Sequence, residues 1–164
     1  MKKLIAPLLL LATLLVATGC PVAVEYPLSK PGTEKIDARL LGTWATDKED
    51  NDILRVQIDR YDDYSYAIEV LETGSMYAVE DTNFRGWVTK IGGKDFIFAM
   101  PSIAEEYYTY CYVIDDENQM RSYDVGLLVG GVDAVTSIEA YRKEVEASLK
   151  MEDCLSEETV WYKE

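Results

Sequence analysis

The sequence predicts a mainly β fold: a small antiparallel up-and-down barrel of about eight strands, with one helix before the last strand. Three observations predict it. Short segments in which apolar and polar residues alternate are separated by polar or glycine turns over most of the chain. Near residue 130 the period changes from two residues to the helical spacing. A meander of this kind would leave exposed sheet edges, which closure into a barrel removes.

The predicted strands follow one another closely. In chain order they are 40–45, 53–60, 64–70, 76–80, 84–91, 96–100, 107–114, 120–125 and 159–162, where 76–80 and 84–91 are either two strands or one bent strand. Alternation is clearest where Leu54, Val56 and Ile58 share one face. Gly92-Gly93 predicts a hairpin turn, because both residues accept a positive φ.

One helix is predicted between the last two strands. Ile138, Tyr141, Val145 and Leu149 recur at helical spacing, which predicts a helix over 137–150. The pattern Thr136-x-x-Glu139 fits a capping box at its start.

The N-terminus has the pattern of a secretory signal. Two lysines precede an apolar run over 4–17, and Ala17-Thr18-Gly19-Cys20 follows. The run is shorter than the roughly 20 residues of a membrane-spanning helix. The four residues resemble the bacterial lipobox, which implies cleavage of 1–19 and a lipid on Cys20. The alternative is an ordinary cleaved signal followed by a free cysteine.

Residues 20–37 are predicted to form a tether, and residues 38–164 the barrel domain. Three prolines and no sustained periodicity mark the tether. Pro21 rather than Asp after the lipidated cysteine resembles lipoproteins of the Gram-negative outer membrane. The expected location is therefore a membrane of the cell envelope, facing the periplasm if the source is Gram-negative.

The charge balance disfavours nucleic acid as a partner. The chain has 16 basic and 30 acidic residues, and removing Lys2 and Lys3 with the signal leaves 14 against 30, a formal charge near −16. Such a surface repels phosphate. It serves either solubility or the attraction of a basic protein partner.

The chain contains no histidine, which removes the commonest general base and metal ligand. No catalytic residues, cofactor or metal site are predicted, and we expect a non-enzymatic protein. The acidic residues of 47–52 and 115–117 lack calcium-loop spacing and are expected to be solvated turns.

Two cysteines remain beyond Cys20. In an oxidising compartment, Cys111 and Cys154 are predicted to form a disulfide. The alternative is a pair of buried thiols.

Gly42-x-Trp44 in the first strand, with the late helix before the last strand, resembles the lipocalin-like (calycin) superfamily over residues 38–164. The resemblance implies a barrel with Trp44 at its base. The Thr-Asp-Tyr turn of that superfamily is absent, and Arg121 is the candidate for its closing arginine.

Tyrosines are the most unusual feature of the domain. Alternation places Tyr108, Tyr110 and Tyr112 on one face of their strand, and Cys111 on the other. If Cys111 bonds Cys154, which follows the helix, the Cys111 face looks outward beneath the helix, and these tyrosines point into the barrel beside Tyr64 and Tyr66. They would then either line a cavity for an amphipathic ligand or fill the core.

Two functions follow as hypotheses. One is a lipid-anchored envelope protein whose barrel binds a small amphipathic ligand. The other is an acidic module, of the inhibitor or immunity type, that captures a basic protein.

Overall fold

Eight antiparallel strands close into a barrel in the computed structural model, which describes residues 23–46, 53–73 and 81–164. The strands are β1 (Gly42–Ala45), β2 (Arg55–Asp62), β3 (Ser65–Glu72), β4 (Asn83–Ile91), β5 (Lys94–Pro101), β6 (Tyr108–Asp116), β7 (Gln119–Val125) and β8 (Leu155–Lys163). Each strand pairs with the next, and β8 returns to pair with β1. One α-helix, α1 (Ile138–Ser148), precedes β8, and short 3-10 helices lie at Ala38–Leu40 and Val132–Ala134. The predicted fold class is confirmed.

The two ends of the barrel differ. The β2–β3, β4–β5 and β6–β7 connections are tight, and we call that end the turn end. The strand ends that the other connections join, including the connection that carries α1, lie at the opposite end, the loop end. Gly92 and Gly93 form the predicted β4–β5 turn, with φ of 58° and 81°.

Two apolar clusters lie on opposite sides of the barrel wall. The inner cluster fills the barrel and contains Leu40, Trp44, Ile58, Tyr66, Val88, Tyr112 and Met120. The outer cluster lies between the wall and α1 and includes Phe96, Phe98, Cys111, Tyr141 and Val145. Because Cys111 and Tyr112 fall in different clusters, the inward and outward faces of β6 are those predicted.

Helix α1 begins one residue later than the capping-box pattern indicates. Ser137 is the N-cap, and its Oγ accepts a hydrogen bond from the Ala140 amide at 3.1 Å. Its backbone is extended, with φ of −165°. The predicted pairing of Thr136 with Glu139 is therefore wrong, because the first helical turn starts after Ser137.

The last strand is longer than predicted. It starts at Leu155, and Glu157 within it has a positive φ of 49° beside a register shift against β7. This bulge interrupts the alternation of side chains. The first half of the strand therefore lacks the period of two residues by which a strand is predicted from sequence. The predicted strand 76–80 lies outside the described residues.

The segment before the barrel is not the tether that its sequence suggests. Val24 and Tyr107 exchange two backbone hydrogen bonds, of 3.1 and 2.8 Å. The Val24 and Leu28 side chains are buried in the outer cluster. From residue 23 onward the chain therefore packs on the wall, because irregular backbone can bury apolar side chains without any periodic pattern. In the part of the chain that the structure describes, no helix has the length and apolar character needed to cross a membrane.

Candidate functional site in the barrel interior

The turn end is closed by the first 3-10 helix and Trp44. Trp44 is fully buried, and its Nε1 donates a hydrogen bond to the Leu40 carbonyl at 2.8 Å. Lys163 lies across the indole, with Nζ 5.1 Å from the ring centroid, and donates to the Arg39 carbonyl at 3.3 Å. These contacts hold the 3-10 helix over the barrel.

Gly42 has a packing role in this closure. A Cβ added to Gly42 would lie 2.8 Å from Lys163 Cε, and its φ is 128°. The Gly42-x-Trp44 pair is thus explained by the Lys163 side chain, which passes over the glycine to reach the indole.

The closing cation is Lys163 and not Arg121. Arg121 lies on the outer face of β7, where it donates to both carboxylate oxygens of Asp115, at 2.7 and 2.8 Å, and to the Tyr123 hydroxyl. The sequence could not show this, because the pairing of Trp44 with Lys163 exists only once β8 closes on β1.

Two of the predicted interior tyrosines belong to the closure as well. The Tyr66 hydroxyl accepts a hydrogen bond from the Asp37 amide at 2.6 Å and donates to the Asp37 carbonyl at 3.2 Å. The Tyr112 hydroxyl donates to the Asp37 carboxylate at 3.4 Å. Burial raises the pKa of both phenols, and the Asp37 charge also raises them. Tyr66 and Tyr112 therefore fill the interior with their hydroxyls satisfied.

Asp37 itself is held ionised. Burial by itself raises its pKa, but hydrogen bonds and charge from Arg39 outweigh burial, so the pKa lies below its usual value. The carboxylate also caps the 3-10 helix by accepting from the Arg39 amide at 3.0 Å.

Tyr64 does not enter the interior, and that prediction was wrong. It lies in the β2–β3 turn with 41% of its surface exposed. The turn removes it from the alternation, because β3 begins only at Ser65.

The loop-side half of the interior holds a different set of side chains. Tyr108 and Tyr110 share the inward face of β6 with Tyr112 and are only partly buried. Asp124 lies directly opposite Tyr110 on β7, so its side chain also faces inward. Next to it on that face, the Ser122 hydroxyl accepts a hydrogen bond from Trp161 Nε1 at 2.8 Å.

Asp124 is the site residue that the sequence analysis missed. Burial, followed by the charge of Glu157, raises its pKa to about 6. Its carboxylate makes no hydrogen bond or ion pair with any described residue. Burial and the Asp124 charge also raise the pKa of Tyr110. The alternation Met120, Ser122, Asp124 would have revealed an inward-facing carboxylate, had the face of β7 been assigned.

Residues next to this set limit the space available. Ile97 and Ala99 face Tyr110 and Tyr108 across the β5–β6 pair. A Cβ on Gly86 would lie 2.7 Å from Ile68 Cδ1, so Ile68 occupies the space beside that glycine. The mid-barrel is therefore packed.

The two cysteines predicted to pair are separate buried thiols in this structure. Burial raises the pKa of Cys111 to about 11, and nearby Cys154 adds to the effect. The disulfide stays a prediction for the oxidised protein. Cys20 lies outside the described residues.

Other polar features lie on the surface. An open groove of about 580 Å³ at the turn end is lined by Arg39, Ile114, Asp115, Asp116, Glu117, Asn118 and Lys163. Within residues 23–46, 53–73 and 81–164, no three potential metal ligands of the Cys, Asp or Glu type group together.

Comparison of the chain with protein-family models, curated proteins and solved structures finds no match. Function is therefore inferred from the barrel and its side chains.

Proposed function

We propose that this chain is a non-enzymatic, lipid-anchored protein of the cell envelope whose barrel binds a small amphipathic ligand. The ligand would enter at the loop end and place its polar group beside Asp124 and Tyr110. The lipid on Cys20 would hold the protein at the membrane, and the absence of histidine supports a binding role over hydrolysis by a conventional triad.

One observation carries the proposal: a half-buried carboxylate that no described residue neutralises. Burying an ionised carboxylate without a partner is costly, so proteins pair such groups or use them at functional sites. A ligand with an ammonium group would supply the missing charge. Its apolar part would contact Ile97, Ala99 and the tyrosine rings.

The proposal can be tested with an alkylammonium amphiphile such as dodecylammonium, measured by displacement of a fluorescent probe at pH 7.5. Loss of the Asp124 charge should weaken binding at least tenfold in Asp124→Asn, consistent with the energy of a charge-assisted hydrogen bond. Binding to the wild type should also weaken as the pH falls below about 6, because the carboxyl is then protonated.

Asp153→Asn is the matched control, since Asp153 is exposed outside the strands. It removes the same charge and should leave the affinity unchanged. Equal affinity for wild type and Asp124→Asn would refute the proposed site.

A second function is favoured by the charge distribution. Five of the six arginines are paired with carboxylates: Arg39, Arg55, Arg60, Arg85 and Arg121. Few arginines therefore remain to neutralise the other carboxylates. The resulting negative surface suits the capture of a basic protein. A complex of that kind should weaken steeply as salt rises, whereas binding of the amphiphile should depend on salt much less.

A further inference from the structure

We infer that the loop end of the barrel faces the bilayer and that the β5–β6 loop, around Ile103, lies on zwitterionic lipid headgroups. This inference rests on the lipid at Cys20 in the proposed function. It adds an orientation and a contact surface, neither of which the anchor alone specifies.

The chain between the anchor and the barrel is short. Val24 is fixed to Tyr107 by two backbone hydrogen bonds, and its side chain is 3% exposed. Only four residue steps separate Cys20 from Val24, which span at most about 14 Å when fully extended. The acylated cysteine lies at the membrane surface, so Val24 lies within about 14 Å of it, and Tyr107, its partner in an antiparallel pair, lies within about 20 Å.

The attachment of Val24 lies at the loop end of the barrel. Tyr107 directly precedes β6, at the loop end. The nine residues of β6 carry the chain about 30 Å to the turn end, roughly twice the length of the connection. The anchor therefore holds the loop end nearer to the bilayer than the turn end.

An apolar side chain is exposed at the loop end, close to this attachment. Ile103 lies in the β5–β6 loop, four residues before Tyr107, with 73% of its surface exposed. Its amide donates to the Asp81 carboxylate at 3.0 Å, and the Ser102 amide donates to the Asn83 carbonyl at 2.9 Å. The loop backbone is thus tied to the start of β4, while the isoleucine side chain remains uncovered.

A single exposed isoleucine is ordinary on a protein surface and identifies no partner by itself. Close to a lipid anchor, however, the bilayer is already within reach of the isoleucine and is the partner that we propose for it. The anchor supplies the affinity, and the apolar side chain has only to favour one orientation.

The negative charge of the β5–β6 loop determines which lipid headgroups it can contact. Glu105 and Glu106 are exposed, and the sequence from 101 to 118 contains no lysine or arginine. Anionic lipids would repel this loop, whereas zwitterionic phosphatidylethanolamine would accept it. Tyr110 and Asp124, in the loop-side half of the barrel, would then lie on the membrane side of the molecule.

The test uses the full, acylated protein, purified in detergent and reconstituted into phosphatidylethanolamine-rich vesicles with brominated acyl chains. An environment-sensitive fluorophore is attached at Glu105→Cys or, as the matched control, at Glu117→Cys. Both positions are exposed glutamates in loops, at opposite ends of the barrel. Quenching at position 105 should exceed quenching at 117 at least twofold, and adding phosphatidylglycerol should reduce the difference.

Lengthening the connection gives a second measurement. Twenty Gly/Ser residues inserted after Pro21 should reduce the excess quenching at 105, because the short connection no longer sets the distance. Equal quenching at both positions without the insertion, or stronger quenching at 117, would overturn the orientation while leaving the anchor intact. Failure of the protein to float with vesicles, or a Cys20 without lipid, would instead overturn the anchor and the orientation together.

Discussion

Asp124 carries a charge that no described residue neutralises. Its pKa of about 6 lies above the ordinary value of 3.8, so the ionised form is less favourable in the folded protein than in the unfolded chain. The carboxylate therefore lowers stability at pH values above about 6. This cost disappears as the pH falls through 6 toward 4, where both states become protonated.

We predict that Asp124→Asn stabilises the protein at neutral pH. After allowance for solvent screening of a half-exposed group, the gain is about 1 kcal/mol, or about 2–4 °C in Tm. Thermal unfolding followed by circular dichroism at pH 7.5 and pH 4 measures it, with Asp153→Asn as the control. The Tm difference should be largest at pH 7.5 and should shrink at pH 4. A variant less stable than wild type at pH 7.5 would mean that the carboxylate has a partner that neutralises it.

At the scale of the elements, the start of α1 depends on one hydroxyl. Ser137→Ala removes the hydrogen bond to the Ala140 amide and should lower the free energy of unfolding by about 1 kcal/mol. Thr136→Ala, one residue earlier, should change it by less than about 0.5 kcal/mol. Urea denaturation of both variants measures these changes. A larger loss in Thr136→Ala than in Ser137→Ala would show that Thr136 is the N-cap, as predicted from sequence.

The segment before the barrel gives a second test. Leu28 is fully buried in the outer cluster, so Leu28→Ala should cost about 2–5 kcal/mol. Leu127→Ala removes the same atoms from a side chain that is 40% exposed and should cost much less. If Leu28→Ala unfolded at the same urea concentration as wild type, the segment would be the tether that its prolines first suggested.

Elements were predicted most accurately where one periodicity of apolar residues extends along the whole element. The alternation in β2 and β6 and the helical spacing of α1 separate one face of each element from the other, so these elements were predicted correctly. Features that depend on contacts between distant parts of the chain were not predicted. The burial of Val24 and Leu28 and the placement of Lys163 on Trp44 are examples. The bulge at Glu157 and the N-cap at Ser137 depend on single backbone conformations that composition does not encode.

The candidate site was predicted only in part. Alternation correctly separated the faces of β6 and so placed Tyr108, Tyr110 and Tyr112 inward. It could not show that the hydroxyls of Tyr66 and Tyr112 are hydrogen-bonded to Asp37, because Asp37 is distant from both in the sequence and contacts them only in the folded protein. Asp124 was missed because the faces of β7 were not assigned.

At the scale of the whole molecule, the redox state of the domain remains a prediction. Cys111 and Cys154 are predicted to be joined in protein isolated from an oxidising compartment. Alkylation under denaturing conditions should then modify neither cysteine until a reductant is added, as read from the intact mass. Modification of both cysteines without reductant would establish the buried-thiol alternative, which their raised pKa values would keep unreactive in the folded state.

The proposed binding of a ligand by the barrel is tested by native mass spectrometry of the protein purified from its own host. We predict that the wild type carries a small amphipathic molecule that Asp124→Asn lacks and Asp153→Asn retains. A wild-type protein that carries no small molecule, or an adduct that is unchanged in Asp124→Asn, would contradict the claim.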